Sequence, residues 1–164
     1  MLLEAYVNEL QSVNEGDLWI NEHFRKKLES VSNLTVFKSP LPGYNSVAQI
    51  LAHLTVWRLS NYSILQGGKR TLTMESPENW PSNDQLRKKG WTTLVKEFYE
   101  SQDMLIDFLK SKDDSFLTQA AAGTGKPYEY YIRGLIHHDM YHLGQIGLVI
   151  KLIGDTSFDT EERQ

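Results

Sequence analysis

Four long segments of the sequence carry apolar residues at the spacing of an α-helix, and loops containing Gly or Pro separate them. Apolar side chains that recur every three or four residues line one face of a helix, which must then be buried against another element. No segment shows the alternation and turn residues of a β-hairpin. The pattern therefore predicts an all-α protein, a four-helix bundle whose apolar faces meet in one core.

Capping and helix-breaking residues set the expected bounds of the first helices. The first helix should end at Gly16, and a shorter helix should follow that contains Phe24, Leu28 and Val31. Ser46 and Gln49 have the spacing of a capping box, in which the two side chains satisfy free backbone N–H groups of the first helical turn. This box predicts the start of the second main helix, and Gly67 predicts its end.

The second half of the chain predicts two more long helices. Ser82 and Gln85 repeat the capping pattern and should open a third helix that continues to about Ser111. The fourth helix should begin near Pro127, because a helix start tolerates a residue without an N–H group. It is expected to continue to about Ile153.

Length and composition narrow the class of protein. A chain of 164 residues is ordinary for one domain, and we expect residues 1–164 to form a single one. The net charge of −4, without a basic cluster, argues against a nucleic-acid partner. No segment approaches the ~20 apolar residues of a membrane span, and the N-terminal segment predicts a helix rather than a signal peptide. The chain has no Cys, which fits a cytoplasmic location and excludes a cysteine nucleophile.

Two histidines of the predicted fourth helix have the spacing of metal ligands. His138 and His142 are four residues apart, so they project from one helix face about one turn apart. That spacing lets two imidazoles reach one metal ion at roughly 2.0–2.1 Å. Both lie on one flank of the apolar face, whereas His137 should point toward solvent, as should His23 in the first part of the chain.

A third histidine could complete this site. His53 lies on a similar flank of the second main helix, so it could meet His138 and His142 inside the bundle. Three neutral imidazoles leave a coordination position open, as in catalytic metal sites. The residues alone leave a second interpretation open, in which these are partly buried histidines satisfied by backbone or carboxylate partners.

Asp139 and Gln145 are further candidate site residues. Asp139 falls near the centre of the apolar stripe, where an unpartnered charge is costly. It could form a buried hydrogen bond to a neighbouring helix, orient a ligand histidine, or act as a base for metal-bound water. Gln145 lies one turn after His142 and could contact the metal-bound solvent or a bundle neighbour.

Several other metal and nucleotide motifs do not match. The run from His138 to His142 has Asp139 where zinc proteases have Glu, and no strand is predicted to present a peptide. No His follows a Glu by three residues, as a ferritin-like di-iron site requires. The segment Gly123–Lys126 lacks the first Gly and the Ser or Thr of a phosphate-binding loop.

Three stretches resemble the DinB-like (DinB/YfiT) family of metalloenzymes. They are the Pro-Gly-Tyr-Asn-Ser helix start that leads to His53, the Asn79-Trp80-Pro81 loop, and the run His138-Asp-Met-Tyr-His142-Leu-Gly-Gln145-Ile. The resemblance extends from the first helix to about Leu152. It implies a bundle of up-up-down-down course, homodimers, and metal ligands at His53, His138 and His142.

The resemblance also implies a class of reaction. Characterised relatives include transferases that use a low-molecular-weight thiol and a thiol-dependent maleylpyruvate isomerase. We therefore expect a metal-dependent enzyme, a thiol S-transferase acting on a small-molecule substrate, with Zn or Ni as the divalent metal and Fe as an alternative. The thiol would be a cosubstrate. A non-catalytic metal- or small-molecule-binding stress-response bundle and a metal-dependent hydrolase are the alternatives.

Overall fold

A computed structural model describes residues 1–70 and 72–154, and within them the chain forms seven helices. These are α1 (Leu2–Glu15), α2 (Phe24–Ser30), α3 (Val47–Leu65), α4 (Asn83–Lys89), α5 (Trp91–Lys110), α6 (Ser115–Thr118) and α7 (Tyr128–Leu152). The predicted all-α fold is confirmed. The four long helices are α1, α3, α5 and α7, while the up-up-down-down course stays a prediction.

The long helices enclose two apolar clusters. α3 packs against α5 and α7, and α1 packs against the same two helices. Their buried apolar side chains form two clusters, one around Leu54 and Phe98 and the other around Leu10 and Ile132. α3 and α7 contribute to both clusters, so the two helices that carry the candidate ligands are held along much of their length.

The predicted capping box fixes the start of α3. The Ser46 hydroxyl accepts a hydrogen bond from the Gln49 backbone N–H at 3.1 Å, and the Gln49 side-chain oxygen accepts one from the Ser46 N–H at 3.1 Å. The Ser46 hydroxyl also donates to the Asn83 side-chain oxygen at 2.6 Å. The Gln49 amide also donates to the Pro81 carbonyl at 3.1 Å, so the start of α3 is hydrogen-bonded both to α4 and to the loop before α4.

The prediction of one unbroken third helix from Ser82 to Ser111 is wrong. Gly90 has a φ of 88°, a left-handed conformation that an α-helix cannot continue through. The segment is therefore divided into α4 and α5 at this glycine. Ser82 does open α4 with the predicted capping box, and α5 ends at Lys110.

The predicted fourth helix is present as α7. Pro127 occupies its N-cap position, and the helix ends one residue before Ile153. Its 25 residues carry His138, Asp139 and His142. Among the described residues, no helix has the length and apolarity required to cross a membrane.

Candidate metal centre

Three histidine rings from two helices converge at one point. His53 comes from α3, and His138 and His142 come from successive turns of α7. Their ring centroids are 5.0, 4.7 and 4.5 Å apart, and one nitrogen from each lies within 4.8 Å of the others. The cluster could hold a divalent metal ion, as the sequence predicts; that it does so stays a prediction.

The spacing of the closest nitrogens suits a shared ion. The Nε2 atoms of His53 and His138 are 3.0 Å apart. Two ligands at 2.0–2.1 Å from one metal, at roughly octahedral to tetrahedral angles, would be about 2.9–3.4 Å apart. The two rings therefore need little movement to coordinate one ion.

Asn79 fixes the tautomer of His53. The indole N–H of Trp57 donates to the Asn79 side-chain oxygen at 2.7 Å, so that atom is an acceptor. The His53 Nδ1 lies 2.8 Å from the same oxygen and must therefore donate to it. Asn79 itself is held by a bond from its amide to the Met74 carbonyl at 3.0 Å. A neutral His53 consequently has its lone pair on Nε2, which points toward the other two rings.

Gln145 plays the corresponding part for His142. Its side-chain oxygen lies 2.6 Å from the His142 Nδ1, which places the proton on that nitrogen. The lone pair of a neutral His142 is then on Nε2, as ligation requires. Gln145 thus contacts a candidate ligand directly; its part in a reaction stays a prediction.

Aromatic rings form the wall around His53. The Trp80 ring stacks on the His53 ring at 3.9 Å with an interplanar angle of 7°. Trp57 adds a tilted contact at 6.1 Å. Sequence reasoning did not assign ring-holding roles to Asn79 and Trp80, because they lie in a loop without periodicity. Their presence in the Asn79-Trp80-Pro81 motif was the only signal.

The environment keeps the three rings neutral. Burial, together with repulsion from a charge on neighbouring His142, lowers the pKa of His53 from 6.5 to about 4 against the opposing effect of its hydrogen bonds to Asn79. Burial, with the same kind of repulsion from His142 and His53, lowers the pKa of His138 to about 3. Burial also lowers the pKa of His142, against the opposing effect of its bond to Gln145. Near neutral pH the rings are therefore available to a metal without loss of a proton.

Asp139 is directed toward a buried arginine. Its carboxylate has no solvent exposure and accepts hydrogen bonds from Arg58 Nη2 at 2.8 Å and Nε at 3.2 Å. Arg58 also donates to the Asn14 side-chain oxygen and to the Phe98 carbonyl. Burial raises the pKa of Asp139, and the Arg58 guanidinium opposes that shift. The structure thus shows a buried bond to a neighbouring helix, and a role for Asp139 in a reaction stays a prediction.

The remaining histidines lie apart from the cluster. His23 occupies the N-cap of α2, where its Nδ1 accepts a hydrogen bond from the Lys26 N–H at 3.3 Å. It is half-buried rather than at the open surface that the sequence suggested. His137 is exposed, as predicted.

An open cavity lies over the three rings. It has a volume of about 450 Å³, and besides the histidines its lining includes Asn45, Trp57, Met74, Trp80, Tyr141 and Gln145. The lining is mainly aromatic and apolar, with a few polar groups near the rings. A small molecule could reach the candidate metal position through this cavity.

One comparison with known proteins identifies a family. The family model described as the DinB superfamily matches residues 20–146, which include all three clustered histidines, Asn79 and Gln145. No curated protein matches the chain.

Proposed function

This chain belongs to the DinB superfamily, and from that premise we propose that it is a metal-dependent enzyme that joins a low-molecular-weight thiol through its sulfur to a small electrophile, with loss of the thiol proton. One observation carries the proposal. Three imidazoles, two of them with Nε2 freed by their partners, converge at the base of an open cavity. Zn or Ni is the proposed metal, and Fe is the alternative, because three nitrogen ligands suit each of them.

The metal on three imidazoles and the residues around it would have different roles in the reaction. A divalent ion on three imidazoles would serve as a Lewis acid that lowers the pKa of a thiol and makes its thiolate available near neutral pH. Asn79 and Gln145 would hold two of the rings in the ligating tautomer. Trp80 and Trp57 would restrict water at the His53 side of the cavity.

The chain's own residues favour thiol transfer over hydrolysis. The hydrolase alternative needs a carboxylate that can take a proton from water at the metal. Asp139, the nearest candidate in sequence, is bonded to Arg58 in the core. Within residues 1–70 and 72–154, the lining of the cavity includes no carboxylate. The chain has no Cys, so the thiol must be a second substrate.

A conjugation screen with metal-loaded protein tests the proposal. Purified chain loaded in turn with Zn, Ni or Fe would be incubated with several cellular thiols and a chromogenic electrophile. We expect turnover that disappears in His53→Ala and persists in His23→Asn, because asparagine retains the capping function at α2. Full metal loading without turnover for any thiol would contradict thiol transfer and favour the non-catalytic binding protein.

A further inference from the structure

We propose that a second cavity beside the metal centre binds the anionic group of a small organic substrate. This cavity has a volume of about 500 Å³ and shares Trp57 and His138 with the cavity over the histidines. Arg70, Arg133 and exposed His137 also line it. The claim that the bound anion is a substrate rests on the proposed function, whereas anion binding itself does not.

Two guanidinium groups at this cavity have no anionic partner among the described residues. Within residues 1–70 and 72–154, neither Arg70 nor Arg133 lies within 4.0 Å of a carboxylate oxygen. Arg133 follows Glu129 by one helical turn, a spacing that usually favours an ion pair. Glu129 instead accepts a hydrogen bond from the Tyr6 hydroxyl at 2.6 Å. Two cations outside any ion pair of the described residues, on one concave surface, contribute a positive potential that attracts anions.

Arg70 is held in place by aromatic rings. Its guanidinium carbon lies 5.4 Å from the centre of the Trp57 ring and 5.9 Å from that of Tyr131. Cation–π contacts of this kind orient the planar group without using its N–H donors. Those donors stay available for the paired hydrogen bonds that arginine forms with a carboxylate or a phosphate. The rings also offer an apolar surface to the rest of the ligand.

Gly134 keeps the cavity open in the middle of α7. Glycine inside a helix is less stable than alanine, so its presence there is not favoured by helix formation. A Cβ atom built at Gly134 would meet no side chain within 4 Å, so close packing does not require glycine either. Since Gly134 lines the cavity, the space left by its missing side chain belongs to the ligand volume.

α7 contributes residues to both subsites. His138 follows Gly134 by one turn of α7, which is about 6 Å along the axis. His138 lines both cavities. A ligand whose anionic group lies against the arginines could therefore extend along α7 toward the histidine cluster. The class that fits is a small organic carboxylate or phosphate ester with an apolar or aromatic body.

Binding of simple probes to the metal-free full-length chain tests this proposal. The probes are 3-phenylpropionate, phenyl phosphate and the neutral 3-phenylpropanamide, with dissociation constants measured by calorimetry. We expect the anions to bind about tenfold or more tightly than the amide, because bonds to charged groups are the stronger ones. Comparing the dissociation constants of 3-phenylpropionate and phenyl phosphate shows which anion the site prefers. An amide that binds as tightly as both anions would overturn the proposal.

Substitutions in the second cavity test whether the anions bind there. Arg70→Gln and Arg133→Gln should each weaken anion binding about tenfold and leave amide binding unchanged. Arg87→Gln is the matched control, since Arg87 is also exposed and lies over an aromatic ring, that of Phe37, away from both cavities. Gly134→Leu should block all three probes while circular dichroism shows an intact helical fold. Unchanged anion binding in the arginine variants, or in a folded Gly134→Leu chain, would refute the assignment.

One further variant separates this proposal from the proposed function. His53 does not line the second cavity, so His53→Ala should lose thiol transfer and retain anion binding. If wild-type protein transfers no thiol but binds anions through the arginines, only the proposed function fails. If it transfers a thiol but shows no arginine-dependent anion binding, only this inference fails.

Discussion

Arg58 and Asp139 form an ion pair in the core, with the Arg58 Nη2 2.8 Å from an Asp139 oxygen and no solvent exposure on either side chain. The pair joins α3 to α7, the helices that carry the candidate ligands. Asp139 follows His138 directly, and Arg58 lies on α3 beyond His53. The contact therefore contributes to the relative position of the three histidines as well as to the core.

Breaking this pair should destabilise the protein. Asp139→Leu or Arg58→Met alone leaves a buried charge without its partner, which costs about 3–5 kcal/mol. The double variant should lose much less than the sum of the single changes, because it removes both charges. Urea unfolding monitored by tryptophan fluorescence measures the three free energies of unfolding. Additive losses would contradict the coupling.

The same pair offers a test of the role of Asp139. We expect folded Asp139→Asn to retain its metal, since the hydrogen bonds of this carboxylate go to Arg58. Elemental analysis of the folded fraction would measure the metal content of this variant. Loss of metal at unchanged stability would instead support the prediction that Asp139 serves the metal centre.

Metal content should depend on each clustered histidine. We expect about one ion per chain in untagged protein, and well under that in His53→Ala, His138→Ala and His142→Ala, because two imidazoles hold a divalent ion poorly. His23→Asn should match the wild type. Equal metal content in all variants would mean that any bound metal lies elsewhere.

The hydrogen-bond partners of the candidate ligand rings should affect the affinity for metal. Asn79→Ala removes the nearer of the two acceptors at the His53 Nδ1, the side-chain oxygen at 2.8 Å, and we expect metal affinity to fall about 10–100-fold. Gln145→Ala should have a similar effect through His142, while Gln145→Glu retains an acceptor and should recover most of the loss. Competition with a chromophoric chelator gives the affinities. An unaffected Asn79→Ala variant would show that the side-chain oxygen is dispensable and that the backbone carbonyl of residue 79, 3.3 Å from the His53 Nδ1, is a sufficient partner.

The stability of the metal-free protein should depend on pH in a stated direction. The pKa of His53 is about 4 and that of His138 about 3 in the folded chain, against an ordinary value of 6.5. Between these values the unfolded chain binds more protons than the folded one, so the free energy of unfolding falls as the pH falls from about 6.5 toward 4. Urea titrations with chelator present would show this. His53→Gln should weaken the dependence, and a flat profile in the wild type would contradict the lowered pKa values.

The outer face of α7 should form a homodimer interface. Tyr141, Leu148 and Leu152 are 64 %, 58 % and 52 % exposed, and their spacing places them along one side of the helix. We expect a dimer by light scattering, and a monomer for Leu148→Lys. Leu34→Lys, at a position 89 % exposed in the loop after α2, is the control and should remain dimeric. A monomeric wild type would refute the prediction.

The sequence by itself determined most of the long helices and the local spacing of two candidate ligands. Helical periodicity and capping boxes act over a few neighbouring residues, so the start of α3 and the extent of α7 could be predicted locally. The four-residue spacing of His138 and His142 follows from the same local geometry. The helix break at Gly90 could not be predicted in this way, because an isolated glycine is tolerated within a helix unless its backbone takes a positive φ.

Only the tertiary structure decided the contacts between distant residues. Asn79 meets His53 across 26 residues, and Arg58 meets Asp139 across 81. No periodic pattern encodes such pairs, since they depend on how the faces of separate helices and a loop pack against one another. The cavity with Arg70 and Arg133 has the same origin, because its walls come from α3, the segment after it and α7. Local interactions thus determine where the candidate ligands lie on their helices. Tertiary packing brings the three rings together and places their hydrogen-bond partners beside them.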